Sequence, residues 1–333
     1  MKLLVTGGLG FIGSNFILHI LKNYPQIKII NLDAEVLGSN KKNLKNIKNK
    51  NYEYCKGNIT DKKLLKKIIS RVDTVINFAA ESHVDRSIND SEPFLKSNIL
   101  GVYSILDVIR KNKKNTKLLQ ISTDEVFGSK SRGSSKEEDI FHPSNPYSAS
   151  KASAELIIEA YLKTYDLDIM ITRCTNNFGP RQFPEKLIPK TIIRSIKDLK
   201  IPIYGNGKNI RDWLFVDDHC DAITKVLFKG KRGESYNISG NNQLSNIRLV
   251  KKILKSLNKS EDLMYYVDDR PGHDVRYSLD SSKIRHKLGW KPKQEFDKSL
   301  TETINWYLEN QNEWKNLATK QMLSPTPWKK YRK

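Results

Sequence analysis

An α/β protein, with a doubly wound parallel sheet and a smaller mixed α/β C-terminal substrate lobe, is predicted by three features of the sequence. Short apolar runs alternate with longer amphipathic ones through the first half, the rhythm of strands joined by crossover helices. Several of those runs are apolar at consecutive positions, as burial on both faces of a parallel sheet requires. Beyond Thr175 the texture shifts to prolines, glycines and short strands.

Lys2–Thr6 reads as the first strand, followed by a glycine turn and a helix from Phe11 to Asn23. Lys28–Asp33 is the second strand, and Thr74–Ala79 and Lys117–Ser122 are later central ones. Helices are expected over Asp61–Ser70 and Glu92–Lys111. Pro146, tolerated in a first turn, opens a helix that runs to Tyr165, and Asp168–Arg173 is a further strand. The expected division is residues 1–175 as a dinucleotide-binding domain, with parts of 211–240 returning to it, and 176–333 mainly as substrate lobe. The Lys/Asn-rich stretch Asn40–Asn51 reads as a solvated loop, and the basic end Trp328–Lys333 has no assigned role.

Composition narrows the class. A hydrophobic fraction of 38% supports a substantial core, and no apolar run approaches the ~20 residues of a membrane span. The glycine loop follows Met1 too closely for a secretory leader, and Cys55, Cys174 and Cys220 form no metal or redox spacing, so a cytoplasmic enzyme is expected. The net charge of +21 comes from lysines spread over many segments, which favours a solvated surface over a nucleic-acid or membrane site. The same field would steer a diphosphate inward.

Gly7-x-x-Gly10-x-x-Gly13 follows the first strand and opens the first helix. In that context Gly7 permits a tight turn, Gly10 admits a diphosphate, and Gly13 allows close helix–strand packing, the Rossmann pattern. The helix N-terminus offers free N–H groups to the anion. Asp33 ends the second strand, where a carboxylate binds a ribose 2′-hydroxyl and repels a 2′-phosphate, so NAD is the expected cofactor.

Tyr147 and Lys151 lie four apart and share a helix face. A lysine ammonium stabilises a nearby phenolate, which would let Tyr147 act as a base near neutrality. Just upstream, Thr123 is followed by Asp124 and Glu125 at the end of a central strand, where the sites of such sheets open. Adjacent carboxyls can differ in protonation, one serving as acid and the other as base. His83 has no partners at ligand spacing, so no metal is expected.

The glycine spacing with Tyr147 and Lys151 resembles the extended short-chain dehydrogenase/reductase family. Its nucleotide-sugar dehydratases are resembled by Ala79-Ala80-Glu81-Ser82-His83-Val84-Asp85-Arg86-Ser87 and Ser122-Thr123-Asp124-Glu125-Val126-Phe127-Gly128. Arg173–Pro180, Phe183–Pro189, Arg211–Leu214 and Arg270–Asp274 extend the likeness, which runs to about Trp290. The resemblance implies that Phe11, Ile12, Asn58, Ile59, Phe78, Ala79, Ala80, Ser82 and Asn177 join the glycines, Asp33, Tyr147 and Lys151 around the cofactor. It implies a dTDP-hexose substrate held by Ser82, His83, Thr123, Asn176, Lys186, Leu187, Pro189, Arg211, Asn246, Arg270 and His273.

The implied reaction oxidises the sugar at C4 through Tyr147 and Thr123. Water is then lost across C5 and C6 with Glu125 as base and Asp124 as acid, and hydride returns to C6. Residues 33–38 lack the family's usual basic and aromatic residues after the ribose acid, and Phe127 replaces a common tyrosine. A homodimer is implied, joined through helices near Glu92–Lys111 and Pro146–Tyr165, with Ile157, Ile158 and Tyr161 as candidate contacts. Two alternatives stay open: a sibling nucleotide-sugar dehydratase, epimerase or decarboxylase, and a non-catalytic Rossmann protein that binds RNA.

Overall fold

A computed structural model describes residues 1–329, so the last four residues of the basic tail lie outside the described residues. Twelve strands are β1 Lys2–Thr6, β2 Lys28–Asp33, β3 Tyr52–Lys56, β4 Thr74–Asn77, β5 Lys117–Thr123, β6 Ile169–Cys174, β7 Asn176–Phe178, β8 Ile201–Tyr204, β9 Ile210–Phe215, β10 Ser235–Ile238, β11 Gln243–Ser245 and β12 Met264–Val267. Seven form one all-parallel sheet in the order β10-β6-β5-β4-β1-β2-β3. The chain leaves β1 toward β2 and β3, then crosses back to β4. The crevice outside the carboxyl ends of β1 and β4 is therefore the switch point where ligands bind.

Alternation along each strand feeds two cores. Leu3 and Val5 join Phe16, Ile17 and Ile223 on one face, whereas Leu4 joins Ile68, Ile105 and Ile158 on the other. All are buried, which for side chains of this size contributes about 1.5–3 kcal/mol each. At the carboxyl end the central strands are pinned by side chains: Thr6 Oγ1 donates to Asn77 Oδ1 at 2.5 Å, and Asn77 Nδ2 to Gln120 Oε1 at 2.8 Å.

The chain then passes repeatedly between this sheet and a smaller one. β7, β9 and β11 form a separate three-stranded sheet, and β8 pairs with β12. Helix Val216–Lys229 packs on helix Phe11–Asn23, and β10 extends the large sheet beside β6. Later, Ile284, Leu288 and Trp290 enter the same core as Phe16.

Three segments differ from expectation. β3 was not anticipated, because Glu53 and Lys56 give an edge strand little apolar signal. The run 92–111 is continuous but π-helical over Leu95–Leu100. That wide turn delivers Asn98 inward, where its amide binds Glu81 O at 3.0 Å and Ser150 Oγ at 2.8 Å. Asn40–Asn51 is not simply solvated: Lys41–Leu44 forms a 3-10 turn, Leu44 is buried, and Asn43 Nδ2 donates to Leu9 O at 3.0 Å. No described helix is long and apolar enough to cross a membrane, and the described residues hold no cluster suited to a metal ion.

His219, on helix Val216–Lys229, is fully buried with neither ring nitrogen hydrogen-bonded, and burial lowers its pKa to about 3. The unfolded chain takes up this proton near pH 6.5, so the folded state loses stability as pH falls from about 6.5 toward 3. His219→Gln should reduce that loss by about 2 kcal/mol between pH 6.5 and 5, measured by denaturant unfolding at both pH values.

Candidate active site

The carboxyl ends of β1, β4 and β5 open into a cavity of about 710 Å³. Gly7 turns the chain there at φ +68°, and a Cβ on it would lie 2.7 Å from Ala79 N. A Cβ on Gly13 would lie 2.4 Å from Gly7 O, so both positions require glycine. Helix Phe11–Asn23 begins at Gly10 with no side-chain cap and no acid in its first turn. Its leading N–H groups therefore face the cavity with the positive end of the dipole, a cradle suited to a dinucleotide's diphosphate.

Asp33 is buried at the end of β2. Its Oδ2 accepts from Leu9 N at 2.9 Å, and its Oδ1 from Glu35 N at 2.9 Å and Ser39 Oγ at 2.7 Å. The carboxylate thus ties the glycine loop to the following turn while lining the cavity. Lys41, Lys56 and Tyr54 converge on Glu35 outside the cavity lining, and the bonds from Lys41 and Tyr54 hold its carboxyl at about 2. Asn58 directs its side-chain oxygen to Thr60 N and Oγ1, both at 3.0 Å, and it lines the cavity with Ile59.

At the far end, β5 delivers Thr123 into a 3-10 turn over Asp124–Phe127. Thr123 Oγ1 accepts from Glu125 N at 3.3 Å and donates to Asp124 Oδ1 at 3.2 Å. Burial, then the Glu125 charge, pushes the Asp124 pKa well above its ordinary value, which favours its protonated form beside the less buried Glu125. Helix Pro146–Tyr165 starts with a reciprocal Asn145–Ser148 capping box, which fixes the aim of Tyr147. Phe94 packs edge-on to Tyr147 at 6.3 Å.

The tyrosine's electrostatics depart from expectation. Burial, and next Glu125, raises the Tyr147 phenol well above its ordinary value, against a hydrogen bond with Thr123. Lys151 donates instead to Ile121 O at 2.7 Å, and burial draws its own pKa down to about 8.

A second chamber of about 160 Å³ shares Ser82, Glu125, Asn176, Asn177 and Lys186 with the first, and adds His83, Leu187, Arg211, Asn246, Arg270 and His273. Every site residue proposed from the sequence lines one of the two chambers except Pro189. Pro189 is buried inside helix Leu187–Ile196 and borders neither, because the helix turns it away from the chamber wall. Unpaired buried atoms gather here: Asp124 Oδ2, Asn176 Oδ1, Asn177 Oδ1, Asn246 Oδ1 and Arg270 Nε. Such groups suit a polar ligand.

Sequence reading missed Pro202 and Tyr204, which line the second chamber from β8. Ile201 and Ile203 border the same chamber, so all four residues of β8 line it and no alternation set these two apart. Buried Tyr277 was also missed. Its hydroxyl lies 3.3 Å from Glu125 Oε2, and the Arg211 guanidinium sits 4.3 Å from its ring centre. No local pattern marks it, since that placement is purely tertiary.

Residues 4–303 match the family model described as GDP-mannose 4,6 dehydratase. A dTDP-glucose 4,6-dehydratase of Haemophilus influenzae is 44% identical, covering 93% of this chain and 98% of its own length. The low-salt glycan biosynthesis protein Agl12 of Haloferax volcanii is also 44% identical, over 92% of this chain and 99% of its own. The crystal structure of DesIV, a dTDP-glucose 4,6-dehydratase from Streptomyces venezuelae with NAD bound, superposes with a TM-score of 0.93 at 42% identity, covering 95% of this chain and all of that one.

Because a side chain at residue 13 collides with backbone, Gly13→Val should leave purified protein with less than about a tenth of the wild-type dinucleotide content, read by absorbance of the denatured supernatant.

Proposed function

Since the chain belongs to the GDP-mannose 4,6-dehydratase family, we propose that it converts dTDP-glucose to dTDP-4-keto-6-deoxyglucose with NAD as a retained cofactor. The observation that carries this reading is the juxtaposition of Asp124 and Glu125 with Thr123 and Tyr147 in one cavity. An enzyme that only moves hydride at C4 has no use for two further carboxyls.

The leading amides of helix Phe11–Asn23 would hold the cofactor diphosphate, Asp33 a ribose, and Lys151 the nicotinamide end. When bound, NAD supplies a hydride acceptor for C4 and a donor for C6, so no external oxidant is consumed. Thr123 Oγ1 positions the C4 hydroxyl and Tyr147 removes its proton. Burial opposes the phenolate this requires, and a charged Lys151 turned from Ile121 O toward it would offset part of that cost. The resulting ketone acidifies C5, where Glu125 takes the proton. Asp124, whose protonated form burial favours, gives its proton to the departing C6 hydroxyl. Arg211, Arg270 and Lys186 supply the positive charge a sugar diphosphate needs, and guanidinium forks suit its oxygens.

We also infer a homodimer through the helices at 92–111 and 146–165. Ile158, named as a contact from sequence, is fully buried within the protomer and is unavailable. Leu95, Leu100, Tyr103, Leu156 and Tyr165 are the exposed large apolar side chains on those helices. Leu100→Asp should halve the mass seen by sedimentation.

Incubation with dTDP-glucose and, separately, UDP-glucose should give loss of water from the dTDP sugar alone by mass spectrometry; epimerised sugar instead would make this a sibling enzyme. Tyr147→Phe should lower kcat by about 10²–10⁴. Glu125→Gln should still oxidise C4 and accumulate reduced cofactor, and full dehydration by that variant would remove Glu125 as the base.

A further inference from the structure

The last described residues run as a strap across the outside of the second chamber. Leu323 is buried, and its carbonyl accepts from Arg194 Nη1 at 2.6 Å. Ser324 O accepts from Lys190 Nζ at 3.3 Å, Asn89 Nδ2 binds Pro327 O, and Lys329 pairs with Asp268. The strap thereby grips helix Leu187–Ile196, helix Val84–Asn89 and the segment after β12. Trp328, 3% exposed, lies edge-on against Tyr204, with ring centres 4.4 Å apart and planes at 75°. It borders neither chamber itself.

Tyr204 is the hub of the chamber wall. Its hydroxyl donates to Asp85 Oδ2 at 3.1 Å, and Asp85 Oδ1 accepts from Arg270 Nη1 at 2.9 Å. The His273 ring stands 6.4 Å from the tyrosine ring. One phenol therefore joins β8, the helix at Val84 and the loop carrying Arg270 and His273, and Trp328 covers it from outside.

We propose that Trp328 is a positioning residue for nucleotide binding: the strap holds Tyr204 against the Asp85–Arg270 pair, and so sets affinity for the nucleotide diphosphate without touching the reacting carbons. The proposal rests on the reading of this chamber as the dTDP site. An edge-to-face aromatic pair is worth up to about tenfold in an equilibrium, which sets the scale of the effect.

In the NAD-loaded enzyme, Trp328→Leu should raise KM for dTDP-glucose and Kd for dTDP by about three- to tenfold while kcat stays within about twofold, and Trp328→Phe should recover most of the loss. Amide exchange at 201–204 and 268–274 should quicken in the leucine variant only. Unchanged Kd in folded Trp328→Leu, a kcat loss as large as the KM change, or no recovery with phenylalanine would each overturn the proposal. Should the leucine variant fail to fold, Asn89→Ala, which releases the Pro327 carbonyl, should weaken dTDP binding in the same direction, and unaltered binding there overturns it too. If wild-type protein binds no dTDP, the substrate assignment fails, yet the exchange comparison still decides the strap: equal rates in wild type and Trp328→Leu sink it.

Discussion

Backbone lying directly on backbone is the constraint from which the rest of the site follows. Gly7 sits where any Cβ would strike the chain after β4, and Gly13 where a Cβ would strike Gly7 O. This contact draws helix Phe11–Asn23 down onto the strand ends and leaves its first N–H groups facing the crevice. Asp33 locks the arrangement from the side through Leu9 N. The Thr6–Asn77–Gln120 chain keeps β1, β4 and β5 level beneath it, so Ala79 and Thr123 reach the same cavity.

Burial then sorts the protons. Asp124 and Glu125 are neighbours in sequence, but the buried Asp124 has its pKa raised because its charged form loses hydration and faces a second negative group. The same desolvation raises the Tyr147 phenol and lowers the Lys151 ammonium. Two neighbouring carboxyls are thus set apart by depth more than by residue type.

Elements with strong local signatures were legible in the sequence. β1, β2 and the helices Phe11–Asn23 and Pro146–Tyr165 have the bounds read from apolar runs and proline placement. The fold class followed from consecutive apolar positions, as the all-parallel seven-stranded sheet bears out. Signals failed where residues act at a distance. Tyr277 meets Glu125 across 152 positions, and Tyr204 meets Asp85 across 119. Pro189 shows the converse, since a helix directs it away from the chamber that its neighbour Leu187 lines. The charge state of Tyr147 was also beyond reach, because spacing to Lys151 carries no information about where the ammonium points.

The way the chain threads between its large sheet and the three-stranded one bears on how such a protein can change over time. β7 and β9 belong to the small sheet, β10 to the large one, β11 to the small one again, and Ile284, Leu288 and Trp290 return to the large core. A graft at any single junction would therefore cut through shared hydrophobic packing. New sugar preferences are more accessible to such a scaffold through point changes on chamber walls than through recombination of whole modules.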